Sequence, residues 1–298
     1  MISKNALIEL VNTPNLDETT LINFQTQYIT GLSNLINFQP EYISGLSKNS
    51  KSEFYLKRIL GDDFATMLNY EQNNPHHCYD LLGHCLHTVS NLDNMKCTYT
   101  SAYFCFHISD EDYDNYIHLC NLTKIAALFH DIGKPSVAGV NPKTGYSTFY
   151  GHAAKSAEIA KRIFESVGFD EFEINFMTWL IAHHDDFINW RGIEQLSGGK
   201  VANKHQQIIT DDLVRNYISK YQNMDNPYID HRWFACLMQL CMADVKAQSD
   251  VAVINFNDGR RFVDTMDRKL RTLQDISSYM VDIYNDGCWD VFLERMFS

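Results

Sequence analysis

The chain has 298 residues, of which 45% are hydrophobic, and a formal net charge of −12 at pH 7. That apolar content can bury one large core. The acidity excludes sequence-independent binding of long duplex nucleic acid, whose affinity comes mostly from Lys and Arg against phosphate.

The eight cysteines form no CxxC pair, and several lie in apolar helical patterns, which reads as reduced thiols rather than a disulfide framework. The start of the chain has too short an apolar run for a signal peptide, and no segment approaches ~18 consecutive apolar residues. A cytoplasmic protein with no membrane partner is expected.

In chain order, LINFQTQYITGLS from Leu21 to Ser33 recurs as LINFQPEYISGLS from Leu35 to Ser47. Apolar residues at helical spacing, with Gly31 and Gly45 where helices would end, predict two short amphipathic helices that pack on the body or dock a protein partner. Ser52 to Tyr70 is again helical in pattern, and Asn73-Asn74-Pro75 marks a break. The helix predicted next, Tyr79 to Leu92, places Asp80, His84, His87 and Thr88 on one face. Met95 to Asp114 is aromatic and then acidic, an insertion that would shape access to a site.

The helix predicted from Tyr116 to Phe129 delivers the most informative stretch, AALFHDIGKP at 126–135. Burying the charge of Asp131 without a partner would be expensive, and a divalent metal removes that cost while using the imidazole of His130 and the carboxylate as they stand at neutral pH. Adjacent helical residues point about 100° apart, so both reach one ion only where the helix ends. Gly133 and Pro135 are expected to supply that turn. Lys134, held between them, offers an ammonium to an anion.

A loop from Ser136 to Ser147 precedes TFYGH and an amphipathic helix, Ala153 to Val167, at whose start His152 faces either a metal or a phosphate. The helix Glu171 to Ala182 ends in His183-His184-Asp185-Asp186, a cluster of metal-binding or proton-transferring groups. Trp190 to Gln207 reads as loop and Asp211 to Tyr221 as helix. DHRWFACLMQLCMADVKAQ, from Asp230 to Gln248, is an apolar helix whose Asp244 needs a partner or a cation. Helices at Gly259 to Tyr284 and Trp289 to Phe297 close the chain, with charges that read as solvated faces. No alternating strand-turn-strand pattern of any length is seen, so the fold is expected to be all-α. GxGxxG, GxxxxGK[ST] and GxSxG motifs are absent, which argues against dinucleotide, P-loop and serine-hydrolase chemistry.

Three separated elements, His84, His130-Asp131 and Asp244, stand in the order H…HD…D. With HHCYDLLGHCLH, ALFHDIGKP followed by TFYGHAAKSAEIAKRI, and LCMADVKAQ, the chain resembles the HD superfamily of metal-dependent phosphohydrolases, in particular the HD domain of bacterial CCA-adding tRNA nucleotidyltransferases. The resemblance covers about Asn73 to Gln248. The first seventy residues lack the Gly-Gly segment and Asp-x-Asp strand of a nucleotidyltransferase head, so CCA polymerisation is not expected.

The resemblance implies an HD-domain helical bundle at 53–250, preceded by a helical segment at 1–52 that holds the 14-residue repeat, with C-terminal helices at 251–298 packed on it. Carried over by motif, His84, His130, Asp131 and Asp244 are the primary metal ligands, and His152 with His183 or His184 completes a second site bridged by Asp131. One or two divalent ions are expected, Mn, Fe, Co, Ni or Zn suiting this donor set better than Mg. Asp131 and Lys134 would be catalytic, Lys134 and His152 would meet the substrate phosphate, and Asp80 and Asp185 or Asp186 would orient neighbouring histidines. The implied substrate is a nucleotide or other phosphorylated small molecule, or an RNA end, hydrolysed as a phosphomonoester or 2′,3′-cyclic phosphodiester. The alternative is a non-catalytic module that senses a nucleotide or binds a protein.

Overall fold

The computed structural model describes residues 2–21, 60–94, 110–191, 207–222 and 229–297. After its first copy begins at Leu21, the repeat lies outside the described residues, as does the stretch 95–109.

Four of the helices that carry the site, α3 (Leu81–Asn94), α4 (Asp110–Phe129), α7 (Glu171–His183) and α9 (His231–Lys246), pack around one apolar core. Before them come α1 (Lys4–Val11) and the short α2 (Asp62–Ala65). Between α4 and α7 lie α5 (Lys134–Val137), the two-residue strands β1 (Gly139–Val140) and β2 (Ser147–Thr148), and α6 (His152–Val167). β3 (Trp190–Arg191) pairs in parallel with β4 (Gln207–Ile208), and α8 (Asp211–Gln222) leads toward α9.

The sequence accounts for this arrangement. Ala126 to Phe129 at the end of α4 are completely buried, which the unbroken AALF run requires. In α6, Ile159, Ala160, Ile163 and Phe164 are buried while Lys161, Arg162 and Glu165 face solvent. Asp170 starts α7 with a capping box: its carboxylate accepts from Glu173 N–H at 2.9 Å, and the Glu173 carboxylate accepts from Asp170 N–H at 2.9 Å. Glu173 also receives Lys4 Nζ at 2.6 Å, tying α1 to α7.

Three expectations are corrected. Residues 251–265 form an antiparallel hairpin, β5 (Val251–Asn255) and β6 (Arg261–Thr265), with Val253 opposite Val263. It replaces the start of the helix expected from Gly259, because β-branched Val251, Val253 and Ile254 and an Asp258-Gly259 turn make a short strand pair locally. A single helix, α10 (Met266–Phe297), replaces the two helices expected after it. Over 60–70, the described part of the helix expected from Ser52, Leu60 is helical, Gly61 with φ of +93° breaks the helix, and α2 and turns follow.

The fold is the expected helical bundle, its sheets confined to these small pairs. Among the described residues no helix is long and apolar enough to cross a membrane. No disulfide links Cys78, Cys85, Cys120, Cys236 or Cys241.

Candidate metal centre

The last turn of a helix leaves carbonyls without intrahelical partners, and two histidines use them. His130, just past α4, directs Nδ1 to the Ala127 carbonyl at 2.7 Å; His184, just past α7, directs Nδ1 to that of Ile181 at 2.7 Å. His152, first in α6, does the same to Phe149 at 2.9 Å, and His84, in α3, reaches the Ala247 carbonyl at the end of α9 at 3.2 Å. A carbonyl only accepts, so each Nδ1 carries a proton, and in the neutral ring each Nε2 presents a lone pair.

These four Nε2 atoms converge on Asp131 and Asp244. Asp131 Oδ2 lies 3.4 Å from His84 Nε2 and 3.3 Å from His130 Nε2; its Oδ1 lies 3.1 Å from His152 Nε2 and 3.6 Å from His184 Nε2. Asp244 Oδ1 is 2.9 Å from His84 Nε2 and 3.7 Å from His130 Nε2. Yet His84 Nε2, His130 Nε2 and both oxygens of Asp131 are buried without a well-formed hydrogen bond. Close, buried lone pairs that do not bond one another are the donor arrangement that a shared cation would satisfy.

The donors fall into three overlapping groups that could hold metal: His84, His130 and Asp244; His130, Asp131 and His184; and His152, His184 and Asp185. Mixed imidazole and carboxylate donors fit a divalent ion. The two oxygens of Asp131 face the two halves of the array, the geometry a bridging carboxylate needs.

Electrostatics agree with the donor geometry. Burial works against charge on Asp131, but Lys134 and His130 outweigh it and hold the carboxyl well below the usual carboxylate range. Asp244 is likewise held well below that range, despite burial, by His130 and His84. Burial also opposes charge on the histidines, and carboxylates override it: Asp131 and Asp244 raise His84 and, with Cys85, take His130 well above the ordinary imidazole, while Asp131 and Asp185 raise His152. Protons therefore compete with any metal at this centre.

Gly133 and Ser156 set the distance between the halves. Gly133 has an ordinary helical φ of −79°, so it is not needed for an unusual turn, contrary to expectation. It is needed for space: a Cβ there would sit 2.5 Å from Ser156 N and 2.9 Å from His152 O. Gly133 N–H also donates to Ser156 Oγ at 2.9 Å, locking the turn after Asp131 onto α6. Gly151, with φ of +79°, turns the chain into that helix.

Other expected residues fall elsewhere. His183 joins none of the ligand groups: its Nδ1 lies 2.8 Å from Asp186 Oδ2 and 3.2 Å from the Tyr221 hydroxyl, so His184 is the one of the pair at the centre. Asp80 does not orient His84. Its carboxylate caps α3, accepting from Gly83 N–H at 2.7 Å and Asn69 N–H at 3.1 Å. Asp185 Oδ2 lies 3.4 Å from His152 Nε2, as part of a donor group rather than behind one. Lys134 Nζ forms an ion pair with Asp131, 2.6 Å from Oδ2, while it hydrogen-bonds Gln72 Oε1 at 2.9 Å and His77 Nε2 at 3.3 Å, so it first serves to hold Asp131.

Sequence reasoning missed Gln72 and His77 beside Lys134. The cue for His77 was its place in the HHCYD string, next to the helix that carries His84. Burial, and then Lys134, hold His77 well below the ordinary imidazole, which makes its Nε2 an acceptor.

Residues 115–223 match the HD domain family model. That family is one of metal-dependent phosphohydrolases and binds divalent metals. A particular relative is the CC-adding tRNA nucleotidyltransferase of Thermus thermophilus, 36% identical over 63 residues that make up 21% of this chain and 14% of the relative. The likeness thus spans a small part of that protein. His84 and Asp244 lie outside the residues matched to the family model, and the fold brings them to the same centre.

Proposed function

We propose that the protein is a metal-dependent phosphohydrolase acting on a nucleotide or on the phosphate of an RNA end. The observation that carries this reading is the convergence of four Nε2 lone pairs on the two oxygens of Asp131 and on Asp244, at the wall of a cavity of about 540 Å³. His84, His130, Asp131 and Asp244 would hold one divalent ion, and Asp131, His152, His184 and Asp185 a second. Such ions supply Lewis acidity and acidify water near neutral pH. No serine or cysteine nucleophile is required.

The chain's own residues do the positioning. Asp131, Lys134, His152, His184, Asp185 and Asp244 line the cavity, so a phosphate entering it meets donors of both halves. Lys134 keeps Asp131 ionised and adds positive charge where negative charge grows on the phosphate oxygens. Partial likeness to a protein named for work on tRNA supports a nucleotide or RNA end over other phosphate esters.

The test is phosphate release from a panel of nucleotides with added Mn and a chelator control, 2′,3′-cyclic nucleotides being opened and then treated with phosphatase. Chelator-sensitive turnover is expected. No turnover on any member, in protein shown to hold metal, would overturn the enzyme and leave a nucleotide-sensing module.

Lys134→Ala should retain metal, whose charge replaces the ammonium beside Asp131, and lose roughly 100-fold in kcat/KM. An unchanged rate would remove Lys134 from the site.

A further inference from the structure

The cavity beside the ligand array has a second wall, built from elements outside it. Arg191 of β3, Arg268 and Lys269 at the start of α10, and His76 from the segment before α3 line it. Lys269 Nζ donates to Gln248 Oε1 at 2.5 Å and to His76 Nδ1 at 3.1 Å. Gln248 Nε2 in turn donates to Asp244 Oδ1 at 3.2 Å. A single amide side chain therefore separates the Lys269 ammonium from a residue of the metal centre.

The positive charge on this wall is largely uncompensated. Arg268 is paired with Asp264, its Nε 2.8 Å from Oδ1. Among the described residues neither Arg191 nor Lys269 has a carboxylate ion-pair partner. Arg191 spends Nη1 on the carbonyls of Ile188 at 2.7 Å and Trp190 at 2.5 Å, and its Nε is buried with no hydrogen-bond partner. Burial, with Arg268 adding to it, brings the Arg191 guanidinium down to about 10.

Among the described residues these three cations have Asp264 as their one direct ion-pair partner, the other carboxylates lining the cavity, Asp131, Asp185 and Asp244, belonging to the donor array, within a chain whose net charge is −12. Nothing in the fold explains gathering like charges there, and each would gain from an anion with several acceptor oxygens.

We infer that Arg191, Arg268 and Lys269 form an anion subsite that holds a second phosphate of the substrate, while the phosphate to be hydrolysed lies at the His/Asp centre. The substrate class is then a nucleotide or RNA end in which two phosphate groups lie within one small cavity. The second phosphate comes either from a diphosphate chain or from the phosphodiester next to a terminal phosphate. As a statement about the substrate this rests on the phosphohydrolase reading; the anion site itself does not.

The test uses the full chain treated with chelator, titrated calorimetrically with inorganic phosphate and with pyrophosphate, for the wild type and for Lys269→Gln and Arg191→Gln. Glutamine at 269 removes the charge while offering an amide donor near Gln248 and His76. Circular dichroism establishes that each variant is folded, and if one is not, the other decides. The wild type is expected to bind, and each variant to bind about tenfold more weakly or worse. Binding that is absent, or unchanged in the folded variants, overturns the subsite.

With metal restored, kcat/KM for a nucleoside diphosphate and for a dinucleotide with a terminal phosphate is compared with that for a mononucleotide. Whichever doubly phosphorylated substrate owes its advantage to Lys269 and Arg191 loses it in the variants and identifies the source of the second phosphate. Lost anion binding without turnover on any substrate leaves the subsite standing and sinks the hydrolase reading; turnover with anion binding untouched does the reverse.

Discussion

Replacing Asp131 with alanine is expected to empty the centre of metal and reduce phosphate release to the metal-free background. Its two oxygens are the one feature that both halves of the array share, Oδ2 toward His84 and His130 and Oδ1 toward His152 and His184. The change also strands Lys134, which is buried and 2.6 Å from Oδ2. Leaving a buried charge without its partner costs about 3–5 kcal/mol. The variant should therefore melt at a markedly lower temperature as well as lose metal. Asp131→Asn, which keeps the shape and a hydrogen-bond acceptor, should melt closer to the wild type while still losing hydrolysis. Elemental analysis beside the phosphate assay decides the matter: turnover by Asp131→Ala with a full complement of metal would refute the assignment.

Gly133→Ala should be nearly as damaging without replacing a single ligand. The added methyl would meet Ser156 N at 2.5 Å and His152 O at 2.9 Å, both backbone atoms with little room to yield. Overpacking of this kind costs about 1–3 kcal/mol. More important, α6 must shift, and with it the approach of His152 to Asp131, now 3.1 Å. A displacement near 1 Å at a reacting centre can cost on the order of 100-fold in rate. A drop of that size, with protein still folded by circular dichroism, is the expected result. Wild-type kcat in Gly133→Ala would show that the contact between the turn and α6 does not set the geometry.

The ligands that could be read from the sequence are those at the ends of strongly apolar helices. An imidazole or carboxylate following AALF or LCMA has no packing role to compete with, so His130, Asp131 and Asp244 stood out. His183 and His184 could not be separated, because neighbours at a helix end differ only by the rotation of one residue about the axis, which the tertiary packing of α7 against α8 and α9 fixes. Asp80 was misplaced for a related reason. The one-face argument treats it as already helical, whereas α3 starts at Leu81 and Asp80 is used up as its cap.

The basic wall was hidden more thoroughly. Reading 259–284 as one solvated helix turned Arg268 and Lys269 into surface charges. The β5–β6 hairpin instead swings the start of α10 back over the cavity. His76 and His77 sit in irregular chain, where periodicity carries no information, and only the contacts to Lys269 and Lys134 reveal that they flank the site.

The braces on the histidines divide the labour of building this centre. His130, His152 and His184 each find their anchoring carbonyl three residues back along the chain. The aim of each ring is thus written into a stretch of four residues and travels with it. Spacing between rings is a different matter, settled by contacts between distant segments such as Gly133 against Ser156. For these three rings aim is a local inheritance and spacing a collective one, so changes far from the centre can spread or compress their donors while each keeps its tautomer.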